Sequence, residues 1–224
     1  VVRNTCPLQN GSKHKDRIKH RIAVLLACVI LRNSDFSKII INKGYAYFNK
    51  GKYNLNIIGI RNAGNNVTNK FDDVIVVEYI DMYGIKSRNI FAATTEPGIT
   101  SMTKPVSYKG CAILVPGQYR STWKLGYHKG KYEALVQYKP VKVYRDNNKD
   151  AVYDFNPKTV EEGTFGINIH KAGTHSTQVD NWSAGCQVLA NKEDFDNLMK
   201  LAHRQISQGY GKLFTYTLIN EEDL

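Results

Sequence analysis

A histidine and a cysteine carry most of the chemistry this sequence can offer. In the stretch GINIHKAGTHSTQVDNWSAGCQV, residues 166–188, His170 closes an alternating apolar run and Cys186 follows a glycine 16 positions later. A thiol is largely protonated near neutral pH, so a nucleophilic cysteine needs a base beside it or a depressed pKa. His170, ending a strand, would be held rigidly enough to serve as that base. Gly185 permits a tight backbone and close approach of a substrate carbonyl. Backbone N–H groups around Gly185 and Cys186 would then face an oxyanion. Nucleophile, base and donor pair make a minimal acyl-transfer site. Two other readings compete with it. One is a zinc site built from His170, His175 and Cys186, although their spacing matches no common zinc motif. The other is a buried cysteine with an unrelated histidine upstream. His175 sits in a polar loop, as an alternative base or a solvated side chain. Trp182 and Asn181 either line a groove or pack.

These residues have to be positioned by elements the pattern predicts. In GINIH, Ile167 and Ile169 share one face and His170 takes the other. Cys186 falls in a turn before a helix, because Phe195, Leu198, Met199, Ala202 and Ile206 then recur at three and four. Asn191 is the expected N-cap, and acidic residues follow it in the first turn. NLNIIGI, DDVIVVEYIDMYG, GCAILVPGQY, YEALVQY, VKVYRD and KLFTYTLI read as strands separated by Gly, Asn and Pro turn signals. ATTEPGIT, Ala93 to Thr100, reads as a loop. Residues 17–31 read as a helix and 36–50 as a second helix or mixed segment. The fold class expected is α+β: an N-terminal helical segment over 1–50 and a strand-rich mixed body with a C-terminal helix over 51–224.

Composition narrows the partners. The 224 residues carry a formal charge of +11, which predicts attraction to polyanions. The densest basic stretch, Lys13 to Arg21, comes with no nucleic-acid-reading motif, so no specific nucleic acid is expected. The longest apolar run, Ile22 to Leu31, is about half of what a bilayer requires, so no membrane span is expected. Basic residues ahead of that run have the look of a signal peptide, but no small-residue cleavage site follows and the chain begins at Val1. Cys6, Cys28, Cys111 and Cys186 lie far apart without a C-x-x-C pair, which argues against a metal finger or a disulfide framework. Cys28 reads as a small core residue. RDNNKDAVYD, Arg145 to Asp154, spaces its Asx residues like a calcium loop. It lacks the glycine and the closing acid of such a loop, and reads better as an Asx-rich turn.

The histidine followed by SAGC resembles the L,D-transpeptidase (YkuD-like) catalytic domain, whose members carry a strand-end histidine and then an S-x-G-C turn. The resemblance covers about residues 110–220 and is sharpest over 165–189. It implies an L,D-transpeptidase-like mixed β body, with Cys186 as nucleophile, His170 as base oriented by a backbone carbonyl, and Gly185 and Ser183 shaping the turn and oxyanion site. The implied chemistry is cysteine acyl transfer, by transpeptidation or hydrolysis, on peptidoglycan stem peptides, with no metal and no cofactor. Family members usually place Gly-Thr directly after the histidine, where this chain has Lys171, Ala172, Gly173 and Thr174. They usually place Arg or Asn two residues after the cysteine, where this chain has Val188. Val188 is therefore expected in the core, with Gln187 or Asn191 turned toward the site. Lys171, Trp182 and His175 are further substrate contacts. The expected partner is peptidoglycan or another anionic wall polymer, in the cell envelope. Lys-, Asn- and Ile-rich usage also fits a bacteriophage enzyme with virion partners. The alternative is a non-catalytic structural or wall-binding protein that keeps the scaffold.

Overall fold

The computed structural model describes residues 29–62, 64 and 66–224. The basic stretch Lys13 to Arg21, Cys6, Cys28 and nearly all of the expected helix over 17–31 lie outside the described residues. Residues 29–33 are helical, with Leu31 buried and Val29 and Ile30 exposed.

The body is a mixed α+β structure built on a closed eight-stranded barrel. The chain first forms a short helix, α1 (Phe36–Asn42), capped by the Asp35 side chain on Lys38 N–H. Three strands follow: β1 (Asn56–Arg61), β2 (Asp73–Ile80) and β3 (Lys86–Thr94). A five-residue helix, α2 (Ile99–Thr103), leads to β4 (Cys111–Leu114), β5 (Gly117–His128), β6 (Tyr132–Gln137) and β7 (Val141–Asp146). Short strands β8 (Glu161–Gly163), β9 (Ile169–Lys171) and β10 (Gln187–Leu189) come next. Helix α3 (Lys192–Ser207) and β11 (Leu213–Asn220) follow, and a 3-10 turn, Glu221–Asp223, comes after β11. The barrel order is β1-β11-β5-β6-β9-β10-β3-β2, and β4, β7 and β8 form a separate three-stranded sheet.

Every residue of β1 is buried, which explains its near-continuous apolar run: both faces are covered. Ile57 faces the barrel interior with Ile75, Val77, Phe91, Trp123, Tyr216 and Leu218. Ile58 and Ile60 face outward under α1, against Phe36, Ile40, Val76 and Ile219. Between them Gly59 is required, since a Cβ there would lie 1.8 Å from the Tyr216 hydroxyl. Arg88 ties residues 31–34 to the barrel: it donates to the carbonyls of Leu31, Arg32 and Ser34 and pairs with Glu78.

The segment 36–50 is the mixed one of the two expected, helical over Phe36–Asn42 and irregular beyond. Several other expectations need correction. ATTEPGIT is not one loop, because Ala93 and Thr94 end β3 and Ile99 opens α2. Of GINIH only Ile169 and His170 pair as a strand, which runs on to Lys171, so His170 lies within it rather than at its end. Cys186 runs into β10, not directly into a helix. Asn191 occupies the N-cap position of α3 without capping a backbone N–H; its side chain instead meets Asp194 and His175.

Candidate active site

His170 and Cys186 lie on the same face of the barrel wall. Strands β9 and β10 run parallel, with Ile169 opposite Gln187 and His170 opposite Val188. Side chains alternate along a strand. Ile169 and Leu189 therefore join the barrel interior, while Val188 packs outside with Phe71, Ala92, Ala172, Val179 and Ala190. Cys186, two residues before Val188, packs against that same outer cluster. His170 shares the face, one strand over.

The hydrogen bonds around His170 settle its tautomer. Nδ1 lies 2.8 Å from the Lys171 carbonyl, which can only accept, so Nδ1 carries the proton. The Tyr132 hydroxyl donates to that same carbonyl and offers its oxygen to Nδ1, each at 3.2 Å. Nε2 is left with a lone pair. It is buried and has no hydrogen-bond partner among the described residues, an unusual state for a polar atom. His170 is only 2% exposed, and burial, helped by His128 and Lys129, pulls its pKa down to about 3. The ring is therefore a neutral base at ordinary pH.

Cys186 is half-buried, and its thiol donates to the Gly166 carbonyl at 3.4 Å. Burial pushes the thiol pKa above 9.0, with the Asn168 backbone amide and Lys129 working against it. The resting pair is thus thiol and imidazole rather than thiolate and imidazolium. Proton transfer must accompany attack on a substrate.

The turn before the cysteine is held by Ser183. Its hydroxyl donates to the Cys186 carbonyl at 2.9 Å and accepts the Gly185 N–H at 3.1 Å, while its own carbonyl accepts Gly98 N–H. Gly185 has φ +127°, and a Cβ there would lie 2.0 Å from the Ala112 carbonyl oxygen. Glycine is a steric necessity at this point. Its amide is committed to Ser183, so it is not the oxyanion donor the sequence suggested.

The four expected substrate contacts separate. Gln187 is the clearest correction: its side chain faces the barrel interior, fully buried. It accepts from the Tyr216 hydroxyl at 2.8 Å and donates to the Gly185 and Thr95 carbonyls. The alternation that keeps Val188 and Cys186 outside forces Gln187 inside. Lys171 stays near the site, its ammonium 4.7 Å from the Tyr132 ring centre. Trp182 is 42% exposed, and its ring edge borders Gly173 just past His170. His175 is exposed and hydrogen-bonds Asn191 at 3.1 Å, apart from the His170 ring contacts.

Three neighbours of His170 escaped the sequence reading: His128, Tyr132 and Asn168. His128 ends β5, Tyr132 begins β6, and only the tight hairpin between them brings both rings to β9. No spacing rule signals that contact. Among the described residues no three His, Cys, Asp or Glu side chains converge as a metal-binding group, so the zinc reading has no ligand set there. Cys111 is buried, and its thiol donates to the Ser101 carbonyl. The Arg145 to Asp154 segment forms Asx-type turns, with Asn148, Asp150 and Asp146 each accepting a nearby backbone N–H. No described helix is long and apolar enough to cross a membrane.

Comparison with known proteins returns no matching family model, curated protein or solved structure.

Proposed function

We propose that this protein is a cysteine acyltransferase or peptidase of L,D-transpeptidase-like type acting on peptidoglycan stem peptides. One observation carries the reading. His170, with Nδ1 fixed on a backbone carbonyl, keeps a buried, unpartnered Nε2 on the face that also bears Cys186. A buried lone pair without a donor costs stability and needs a reason; a thiol proton arriving with substrate would supply one.

In this mechanism the Cys186 proton passes to His170 Nε2 as sulfur bonds to the carbonyl carbon. Collapse of the tetrahedral adduct breaks the C–N bond, and His170 returns the proton to the leaving amine. Water or a second amine then resolves the thioester, with His170 again taking and giving one proton. Tyr132 and the Lys171 carbonyl stabilise the imidazolium formed in each half-reaction.

The test is Cys186→Ala. Turnover of muropeptides should vanish while the circular dichroism spectrum is unchanged, and mass spectrometry should find a carbapenem adduct on Cys186 of the native protein. Full turnover in the variant would end the proposal.

A second reading, a wall-binding protein that retains the scaffold, draws on two features of the same site. The thiol is shifted toward its protonated form, and the Gly185 amide is tied up by Ser183. Wall binding without turnover or adduct would favour it.

A further inference from the structure

We infer that His128 is a positioning residue for His170, holding the face of its ring and, through Asn168, kept in the one protonation state that leaves His170 free to accept a proton. The inference rests on the proposed acyl-transfer site and adds the device that keeps its base in working order.

The geometry is specific. The two imidazoles stack with centroids 4.0 Å apart and planes 23° from parallel. His128 is 7% exposed, so this contact lies inside the protein. Asn168 reaches His128 from β9's leading end, its amide nitrogen 3.1 Å from His128 Nδ1. The orientation of that amide is not free: its oxygen accepts the Gln137 backbone N–H at 2.9 Å. The NH₂ group therefore points at His128, and His128 Nδ1 must accept. The His128 proton then sits on Nε2.

A second proton on His128 would set an N–H against the Asn168 NH₂. Burial also lowers the His128 pKa, and Lys129 lowers it further. Two stacked imidazoles cannot both be cationic at this separation without a large repulsion. Holding His128 neutral therefore reserves the charge for His170, at the moment it takes the thiol proton. The other groups bearing on His170 are Lys129 from the hairpin, Tyr132 from β6, and Lys171 beside it on β9. Cys186 lies before β10 on the same face. Among the described residues no carboxylate shifts the pKa of either histidine. Asn168 is therefore the switch point: an acceptor in its place would invert the His128 protonation state.

The test uses Asn168→Asp, His128→Phe and their combination, read by nitrogen-detected NMR of the imidazoles and by the rate of Cys186 alkylation with iodoacetamide. In the native protein His128 should carry its proton on Nε2 and His170 on Nδ1. His170 should not titrate between pH 8 and about 5, and His128 should titrate below the ordinary histidine range. In Asn168→Asp the new carboxylate should make His128 titrate near neutral pH, and alkylation should fall about tenfold or more on the acidic side of that titration. Adding His128→Phe, which keeps a stacked ring without a proton, should remove the new acid limb. A His128 proton on Nδ1 in the native protein would overturn the inference. So would an Asn168→Asp variant whose alkylation has no new limb, or a double variant that keeps one. These readouts need no wall substrate. A protein that shows them but turns over no muropeptide would leave the positioning role intact and remove the substrate assignment.

Discussion

At the scale of single residues, the protonation states of His170 and Cys186 set the pH response expected of the proposed activity. His170 is a base only when neutral, and its pKa lies at about 3. Cys186 titrates above 9.0. We therefore expect kcat/KM on a muropeptide to be flat from about pH 4 to 9, without the limb near 6.5 that a solvated histidine would give. A pH–rate profile checks this, and a limb at 6.5 would show that the buried His170 is not the base. Stability follows the opposite margin. Between about 3 and 6.5 the unfolded chain binds a proton at position 170 that the folded chain refuses, so stability falls as pH drops through that window and is full above it. Gln187 gives a second prediction. Its buried amide satisfies the Tyr216 hydroxyl and two carbonyls. Gln187→Leu should therefore cost about 1–3 kcal/mol of stability by leaving those groups unpaired. KM should barely change, and urea unfolding beside steady-state kinetics would separate the two effects.

At the scale of elements, the proposed nucleophile depends on its turn, and a buried charge cluster joins the ends of β1 and β2 to the residues just after β3. Ser183 makes two hydrogen bonds within the turn, and Ser183→Ala should cost about 2 kcal/mol and lower kcat by loosening Cys186. A variant as stable and as fast as the native protein would show that the Ser183 hydroxyl does not hold the turn. Nearby, Asp73 accepts three hydrogen bonds, from the amides of Asn62 and Thr95 and from the Thr95 hydroxyl. Arg61 Nε lies 3.1 Å from Glu96 Oε1, but its N–H is aimed at the Thr95 hydroxyl, so that carboxyl oxygen has no hydrogen bond. Burial, then the Asp73 charge, pushes Glu96 up to about 9; burial raises Asp73 only to about 6. Near neutral pH, Asp73 therefore balances Arg61 and Glu96 is protonated. The folded chain keeps a proton on Glu96 that the unfolded chain loses above 4.5, so stability declines as pH rises from 4.5 toward 9. Glu96→Gln should remove this decline, raising the melting temperature at pH 8.5 more than at pH 5.5. An equal change at both values would mean that Glu96 is ionised in the native state.

For the whole molecule, the formal charge of +11 should make the proposed wall binding strongly dependent on salt. The screening length shrinks from about 10 Å at 0.1 M to about 3 Å at 1 M salt, so cosedimentation with purified sacculi should weaken steeply over that range. Cys186→Ala should bind as well as the native protein, because the charge is spread along the chain. Binding that ignores salt would point to recognition by the site itself. The barrel supplies the rigid frame: closure leaves no free edge among its eight strands, and α1 seals the outer face of β1.

The local pattern of residues determined most of the elements and singled out the candidate pair. The strands β1, β2, β6, β7 and β11 and the helix α3 are legible because apolar periodicity and turn residues are properties of neighbours in the chain. His170 and the SAGC turn are legible because the residue types and their spacing lie within one segment. The alternation in GINIH placed His170 opposite Ile169, and that held. Long-range packing decided the rest. Closure of the barrel sets β9 beside β10 in parallel, and that register puts Gln187 inside and Cys186 outside. The β5–β6 hairpin brings His128 and Tyr132 to a histidine some forty residues away. Such contacts are chosen by which faces can be buried together, a global property that no single stretch of sequence carries.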